Sequence, residues 1–382
     1  MNLRRVLLVA DESADWIVAG LRQLERLALS IDEFAVENNE TAPVLASIFW
    51  RPDLDESQRW TPGNPRLTKV AFTREVDTQP YDLVLSTRLF LRRKAVGQLL
   101  ESAAGPVTAT DHSWEGYARL AESVPASANG AWDYIRDGDQ IDEIEKRFLR
   151  DAGKRQDGLV SRYVNRPVSR TISRLLLRFP ATPNGWTWLI FPIPILGSVV
   201  LAQGSYGSFV WGLVLFQIFS ILDGCDGEIA RAKFMESERG RQLDDLFDVV
   251  SNILLVVGLG FGLRHAHDPF GWFYLGEGIL TAGLIAANEW YLASRKSAAV
   301  SAGTTDSLGD TLYPRHRELV EHSGLLAFGE KFASRVMQLT KRDVAVLFFV
   351  FLAVIGLPSF ILHLLLGVTA ASLALALKAH LL

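Results

Sequence analysis

Residues 223–248 read DGCDGEIARAKFMESERGRQLDDLFD and join two apolar segments. Upstream, residues 182–222 hold no Asp, Glu, Lys, Arg or His; downstream, the run from Leu246 to Leu263 holds no charge except Asp248. Within the quoted stretch, Asp223 and Asp226 stand three residues apart, and Asp244 and Asp248 stand four apart. Both spacings put two carboxylates on one face of a helix. The first pair closes one candidate membrane helix and the second opens the next, so the pairs can face each other at one membrane edge. Ionisable groups on membrane helices are costly and usually functional. A reading as four solvated loop aspartates leaves that placement unexplained. Like charges so close repel and raise each other's pKa unless cations intervene. Carboxylate oxygens suit Mg²⁺, Mn²⁺ or Ca²⁺ better than zinc.

The chain around this stretch has 382 residues, 39 basic and 43 acidic, for a net charge of −4. Hydrophobic residues make up 49% and mean hydropathy is +0.16, which excludes collagen-like and disordered classes. The near-neutral charge argues against a nucleic-acid partner. The single cysteine, Cys225, excludes an intrachain disulfide. Charge is concentrated in the front of the chain.

Six stretches have the apolar length expected of membrane spans. They run from about Trp186 to Ala202, Phe209 to Leu222, Leu246 to Leu263, Phe270 to Leu292, Val344 to Leu357 and Ser359 to Leu377. Lys and Arg gather in the segments before the first span and in alternate loops, with Arg264 as the exception. By the positive-inside rule both termini and the acidic stretch are expected in the cytosol. The opening MNLRRVLLVADES has too short an apolar run for a signal peptide and reads as a buried strand. The expected fold class is a cytosolic α/β N-terminal domain followed by an all-α six-helix transmembrane domain, in the cytoplasmic membrane.

Residues 1–150 alternate strand-like runs (RRVLLVA, VLASIFW, KVAFT, YDLVLS) with helical spacing at Trp16, Ile17, Leu21, Leu24 and Leu27 over residues 15–38. GPVTATD offers one more strand. The first strand leads into Asp11 to Asp15 without a glycine-rich phosphate cradle. Asp11 and Asp15 could hold a metal, though loop carboxylates of this kind are more often solvated.

Residues 151–181 form a basic connector. Arg162, Arg166, Arg170, Arg174 and Arg178 recur every four residues, and Val160, Val164, Val168, Ile172 and Leu176 do the same two places out of step. Two places is about 200° on a helix, so this reads as an interfacial helix with its arginines toward anionic headgroups. One or two of them could instead reach a substrate phosphate. Pro167 kinks this segment or starts a second helix.

Gly224, Gly227, Ala230 and Gly240 would let a ligand approach the backbone, and Arg231 could grip a phosphate with two donors. Metal, arginine and small residues together describe a diphosphate site. The pattern D-x₂-D-G-x₂-A-R-x₈-G-x₃-D-x₃-D, Asp223 to Asp248, resembles the signature of the CDP-alcohol phosphotransferase family at every defined position. The resemblance covers residues 160–382. It implies a cytosol-facing site where an acceptor hydroxyl attacks the phosphorus bearing the alcohol of a CDP-alcohol, and CMP leaves. It implies two Mg²⁺ or Mn²⁺ ions on Asp223, Asp226 and Asp244. Asp248 completes that site and serves as general base. It further implies a CDP pocket shaped by Gly227, Ala230, Arg231 and Gly240, membrane-lipid surroundings and a homodimer. Thr182-Pro183-Asn184 reads equally as a helix cap or as a family feature that puts Asn184 near the nucleotide.

DGLVSRYVNRPVSRTISRLL, the following TPN and Lys341-Arg342-Asp343 resemble the branch that fuses an inositol-phosphate cytidylyltransferase to a di-myo-inositol phosphate phosphate synthase. That resemblance implies a shortened, degenerate nucleotidyltransferase-like front domain. It implies CDP-inositol or CDP-diacylglycerol as donor and an inositol phosphate or other polyol as acceptor. Lys341 and Arg342 could bind an acceptor phosphate, with positive-inside anchoring as the plainer reading. Glu277 and Glu289 in the fourth span read equally as site residues or as carboxylates satisfied by a partner. Asp244 to Asp248 also spells DDLFD, a prenyl-diphosphate motif, so a membrane prenyltransferase is the rival enzyme. A membrane adaptor would need the acidic set to have decayed.

Overall fold

In the computed structural model the described residues are 3–102, 105–108, 110–124, 127, 130–151, 160–267, 269–301 and 342–381, with side chains omitted at 292–301, 342 and 375–381. They fall into two compact units. One comprises Met1–Ala152, Arg174–Pro180 and Ala230–Met235; the other comprises Gly153–Ser173, Ala181–Ile229 and Glu236–Leu382.

The first unit is built on a parallel sheet of four strands: β1 (Arg5–Ala10), β4 (Val44–Trp50), β5 (Val70–Thr73) and β6 (Leu83–Ser86), in the order β5-β4-β1-β6. β1 pairs with both β4 and β6. Its apolar run carries no polar alternation because both of its faces are covered. Val6, Leu8 and Ala10 pack with Leu24, Leu27 and Ile31 of helix α1 (Gln23–Glu37). Leu7 and Val9 pack on the opposite face with Tyr117 and Ala121 of α3 (Trp114–Glu122). Strand β7 (Leu89–Leu91) pairs with β8 (Trp132–Tyr134), α2 (Ala95–Ser102) follows β7, and α4 (Ile141–Asp151) follows β8. Val107 contributes only a single bridge to Tyr81 in place of the strand expected over GPVTATD.

The helix expected over residues 15–38 begins eight residues late, at Gln23. Before it, β2 (Ile17–Val18) and β3 (Leu21–Arg22) form a hairpin. Its two-residue loop has positive φ at both positions, 48° at Ala19 and 77° at Gly20. That is the geometry a tight hairpin demands and a helix cannot accommodate.

Asp15 is exposed, but Asp11 is not solvated. Asp11 is buried at the carboxyl ends of β1 and β6. It caps the turn at Glu12–Asp15 through Ser13 N–H at 2.9 Å and receives Arg88 Nε at 2.7 Å. Asp15 pairs with Arg22 at 3.5 Å. Burial pushes the Asp11 carboxyl upward, but the Ser13 and Arg88 hydrogen bonds outweigh it and hold the group below the ordinary carboxylate range. A depressed folded-state pKa adds stability that is present above the unfolded value, about 3.9, and lost as pH falls through the folded value. Asp11→Ala is therefore expected to cost about 1–3 kcal/mol at neutral pH, because it removes the buried acceptor of Ser13 N–H and Arg88 Nε, although Glu12 still pairs with Arg88 at 2.7 Å. Thermal melts should also show the variant's deficit shrinking below about pH 4; a constant deficit down to pH 2 would refute the assignment.

The second unit is helical. A short π-helical turn at Ser161–Asn165 leads into α5 (Arg166–Leu176), whose second residue is Pro167, so this proline starts the regular helix. Then come α6 (Pro183–Ile190), α7 (Pro192–Leu201), α8 (Tyr206–Ala232), α9 (Glu238–Ala266), α10 (Gly271–Ser301), α11 (Arg342–Val354) and α12 (Pro358–Leu381). By length and composition, three stretches among the described residues could cross a membrane: Pro183–Leu201, spanned by α6 and α7, then α8 and α9. Six were expected. The fourth candidate, α10, has its apolar run broken by Glu277, Asn288 and Glu289; the last two candidates are shorter apolar helices over Asp343–Val354 and Pro358–Ala374.

α9 lies at the centre of this unit, against α6, α7, α10 and α12. Close approach explains its glycines. A Cβ on Gly258 would meet Ser198 O at 2.7 Å, and one on Gly262 would meet Leu201 O at 2.1 Å. Small residues at such crossings are how membrane helices gain van der Waals contact. Arg264, the one cation out of place in the charge pattern, stacks on the Trp272 ring at 3.6 Å, which suits an amphipathic side chain near an interface. Glu277 Oε1 receives Nδ1 of His363 at 2.7 Å, which links α10 and α12, while its buried Oε2 has no hydrogen-bond partner among the described residues.

α5 departs from the expected stripe at one arginine. Its buried face is polar: Arg166, Ser169 and Ser173, preceded by Asn165. Val164, Val168 and Leu175 are exposed. The arginine stripe does not act as one surface, because Arg166 is buried while Arg174 pairs with Asp142 and Glu145 of α4.

Candidate active site

Three of the four aspartates converge. One carboxylate oxygen from each of Asp223, Asp226 and Asp244 lies within 4.8 Å of the others. Asp223 and Asp226 come from α8 and Asp244 from α9, as the paired spacings predicted. Asp248 stands one helical turn beyond Asp244 and outside that group. The neighbouring Asp245 is exposed and pairs with Arg241 at 3.4 Å. DDLFD therefore splits between two helix faces.

Local packing fixes the two helices. Phe247 of α9 is buried, stacked on Phe191 at 4.0 Å and edge-on to Trp188 at 4.9 Å. Trp186 Nε1 donates to Leu222 O at 2.9 Å, just before Asp223. Thr187 Oγ1 lies 2.8 Å from Asp226 Oδ2 and 3.1 Å from Pro183 O. Thr182 caps α6 through Gly185 N–H, with Pro183 at the first helical position, so the plain capping role of this segment holds. The exposed Asn184 also approaches the backbone: a Cβ on Gly240 would lie 3.1 Å from Asn184 Oδ1. Gly240 itself is held by the α9 cap, Ser237.

Three carboxylates this close repel by roughly 3–4 kcal/mol per pair at an effective dielectric of about 20. An all-oxygen donor set on two helices fits a hard divalent cation, Mg²⁺ or Mn²⁺, which would offset that repulsion. Gly227 follows the first pair on α8, and Ala230 and Arg231 lie one turn further; Ala230 is buried and Arg231 half-buried. Lys341 lies outside the described residues. Arg342 opens α11, with its side chain outside the description.

A family model described as CDP-alcohol phosphatidyltransferase matches residues 181–379, more than half of the chain. The chain belongs to the CDP-alcohol phosphatidyltransferase family. Among curated relatives, a Rubrobacter xylanophilus protein named bifunctional IPC transferase and DIPP synthase is 35% identical over 185 residues, which is 47% of this chain and 41% of the relative. Proteins of the same name from Aquifex aeolicus and Thermococcus kodakarensis are 32% and 36% identical, over 37% and 31% of this chain and 32% and 26% of theirs. The matched stretch thus spans less than half of each of these relatives.

In this member of the family the sequence reading missed a buried support behind the acidic pair. Glu228, 1% exposed, accepts Arg166 Nη1 at 3.0 Å and Ser169 Oγ at 2.9 Å. Arg166 Nη1 also lies 3.3 Å from Gly224 O, and a Cβ on Gly224 would meet that nitrogen at 3.0 Å. Gly224 is small to admit Arg166, not a ligand. The one available signal was Glu228 itself, a carboxylate at an undefined position of the motif with the arginine stripe upstream. Glu228→Ala is expected to cost about 1–3 kcal/mol, because it removes the buried acceptor shared by Arg166 and Ser169. A shift of less than about 1 kcal/mol in a detergent melt would mean the pair is solvated.

Proposed function

We propose that this chain is an integral membrane transferase that moves the phospho-alcohol part of a CDP-alcohol to a hydroxyl acceptor and releases CMP. The observation that carries this reading is the meeting of Asp223, Asp226 and Asp244 across two apolar helices within the matched family region. These three residues would hold the divalent cation, Mg²⁺ or Mn²⁺, in one or two copies. Bound there, the cation would supply charge neutralisation of the diphosphate and of its transition state. The residues of the chain do the rest. Arg231, Gly227, Ala230 and Gly240 bind the CDP portion, with Asn184 beside Gly240. Asp248 takes the proton of the acceptor hydroxyl. The acceptor oxygen forms a bond to the phosphorus bearing the alcohol. The bond from that phosphorus to the bridging oxygen breaks, and CMP departs with that oxygen.

In this reading the chain comprises a degenerate nucleotidyltransferase-like domain at 1–150, a connector at 151–181 and a six-span domain at 182–382. Both termini and the site face the cytosol, the spans contact membrane lipid and the protein is a homodimer. The relatives' names favour an inositol-bearing CDP-alcohol over CDP-diacylglycerol, and an inositol phosphate as acceptor. Lys341 and Arg342 are the candidates to bind that acceptor's phosphate. The test is incubation of purified protein and Mg²⁺ with a panel of CDP-alcohols and polyol or polyol-phosphate acceptors, with CMP and product read by mass spectrometry. CMP release with a CDP-inositol and transfer to an inositol phosphate is the expected result. Prenyl transfer without CMP release would refute it.

A further inference from the structure

The turn after the motif's arginine is built around a residue in an unfavourable conformation. α8 ends at Ala232, and Phe234 takes φ of 56°. A left-handed φ costs a non-glycine residue roughly 1–2 kcal/mol. Met235 N–H donates to Ala230 O at 2.8 Å, the six-to-one bond of a helix-closing turn whose left-handed residue is usually glycine. A phenylalanine there needs a hold that glycine would not.

Two holds are present. The guanidinium carbons of Arg26 and Arg93 lie 5.6 and 5.8 Å from the Phe234 ring centre, within cation–π range. Arg66 Nη1 donates to Lys233 O at 2.6 Å and to Phe234 O at 2.8 Å, and Arg26 Nη2 donates to Ala232 O at 2.9 Å. Cationic donors thus satisfy the carbonyls at a helix C-terminus, where they act with the dipole. Lys233 is itself buried, with Nζ donating to Phe179 O at 2.8 Å. A Cβ on Gly20 of the β2–β3 hairpin would come within 2.6 Å of its Cε. Accordingly Ala230–Met235, which includes two motif residues, clusters with Met1–Ala152.

We infer that the α/β domain is a positioning unit for the transferase: its Arg26, Arg66 and Arg93 hold Phe234, and through it the turn that joins the two aspartate-bearing helices. This rests on the proposed function only for its kinetic consequence. It gives the domain a task that requires no glycine-rich phosphate loop. These arginines are positioning residues.

The test uses the full chain in detergent, comparing R66Q, F234A and the conservative R66K with the unaltered protein. Trypsin cleavage after Lys233 should accelerate about tenfold in R66Q and F234A, as expected when a local opening loses about 1.4 kcal/mol. Mn²⁺ affinity by electron paramagnetic resonance should weaken a few-fold. kcat for CMP release should fall about 10- to 100-fold, the scale of a misplaced catalytic group, with KM for the CDP-alcohol nearly unchanged. R66K should recover most of each loss. Unchanged proteolysis, Mn²⁺ affinity and kcat in both R66Q and F234A would overturn the inference. So would losses that R66K fails to repair and that track a general drop in melting temperature. If the unaltered protein releases no CMP, the proposed function fails, while the proteolysis and Mn²⁺ measurements still decide the turn.

Discussion

Asp226→Asn is expected to lower CMP release about 10³-fold, the upper range for losing one preorganised electrostatic contact, while raising the melting temperature of the metal-free protein. The two signs come from one geometry. Asp226 shares a 4.8 Å neighbourhood with Asp223 and Asp244, so its charge adds like-charge repulsion there, and on the proposed reaction it would help to hold the cation. Asparagine keeps the shape and an oxygen for Thr187, which lies 2.8 Å from Asp226 Oδ2, so the helix contact survives. Sites that sacrifice stability for chemistry behave this way. Calorimetry without metal, Mn²⁺ titration and CMP release on the same preparation would measure all of it. A variant that is both less stable and inactive would instead make Asp226 a structural residue, and the cation assignment would fall with it.

How legible these features were depended on their distance along the chain. Asp223 and Asp226, and Asp244 and Asp248, were legible as pairs because helical spacing is local, and the meeting of the first three followed from two apolar runs of opposite direction. The buried run Val6–Val9 marked a covered strand for the same reason. The hairpin at Ile17–Arg22 hid inside apolar spacing because Leu21 and Leu24 fit a helix as well as a strand. Only the Ala19-Gly20 loop separates the two readings. The Arg166–Glu228 pair joins positions 62 residues apart, and His363–Glu277 joins positions 86 apart. No periodicity encodes a partner so distant. Arg166 was misjudged for a related reason: the stripe of arginines looks like one solvated face until a buried carboxylate claims that member. Phe234 gave no signal at all, since its left-handed backbone is visible only in three dimensions.

Asp248→Asn is expected to lower kcat about 10²- to 10⁴-fold, the range for losing a general base, while leaving Mn²⁺ affinity within about threefold. The structure separates Asp248 from its three neighbours: it lies a helical turn beyond Asp244, outside the group whose oxygens converge. It still shares the face of α9 that carries Asp244, since four residues return the helix to nearly the same direction. The side chain is half-buried, and Phe247 beside it stacks on Phe191 and meets Trp188 edge-on, which fixes the backbone that carries it. In the proposed reaction this carboxylate, on the same helix face and outside the converging group, would accept a proton from the approaching hydroxyl. Parallel metal titrations of Asp248→Asn and Asp226→Asn discriminate the roles. Equal losses of Mn²⁺ affinity in the two variants would make Asp248 a fourth ligand, and the base would have to be sought elsewhere. An intact metal site with arrested turnover would fix the proton acceptor at Asp248.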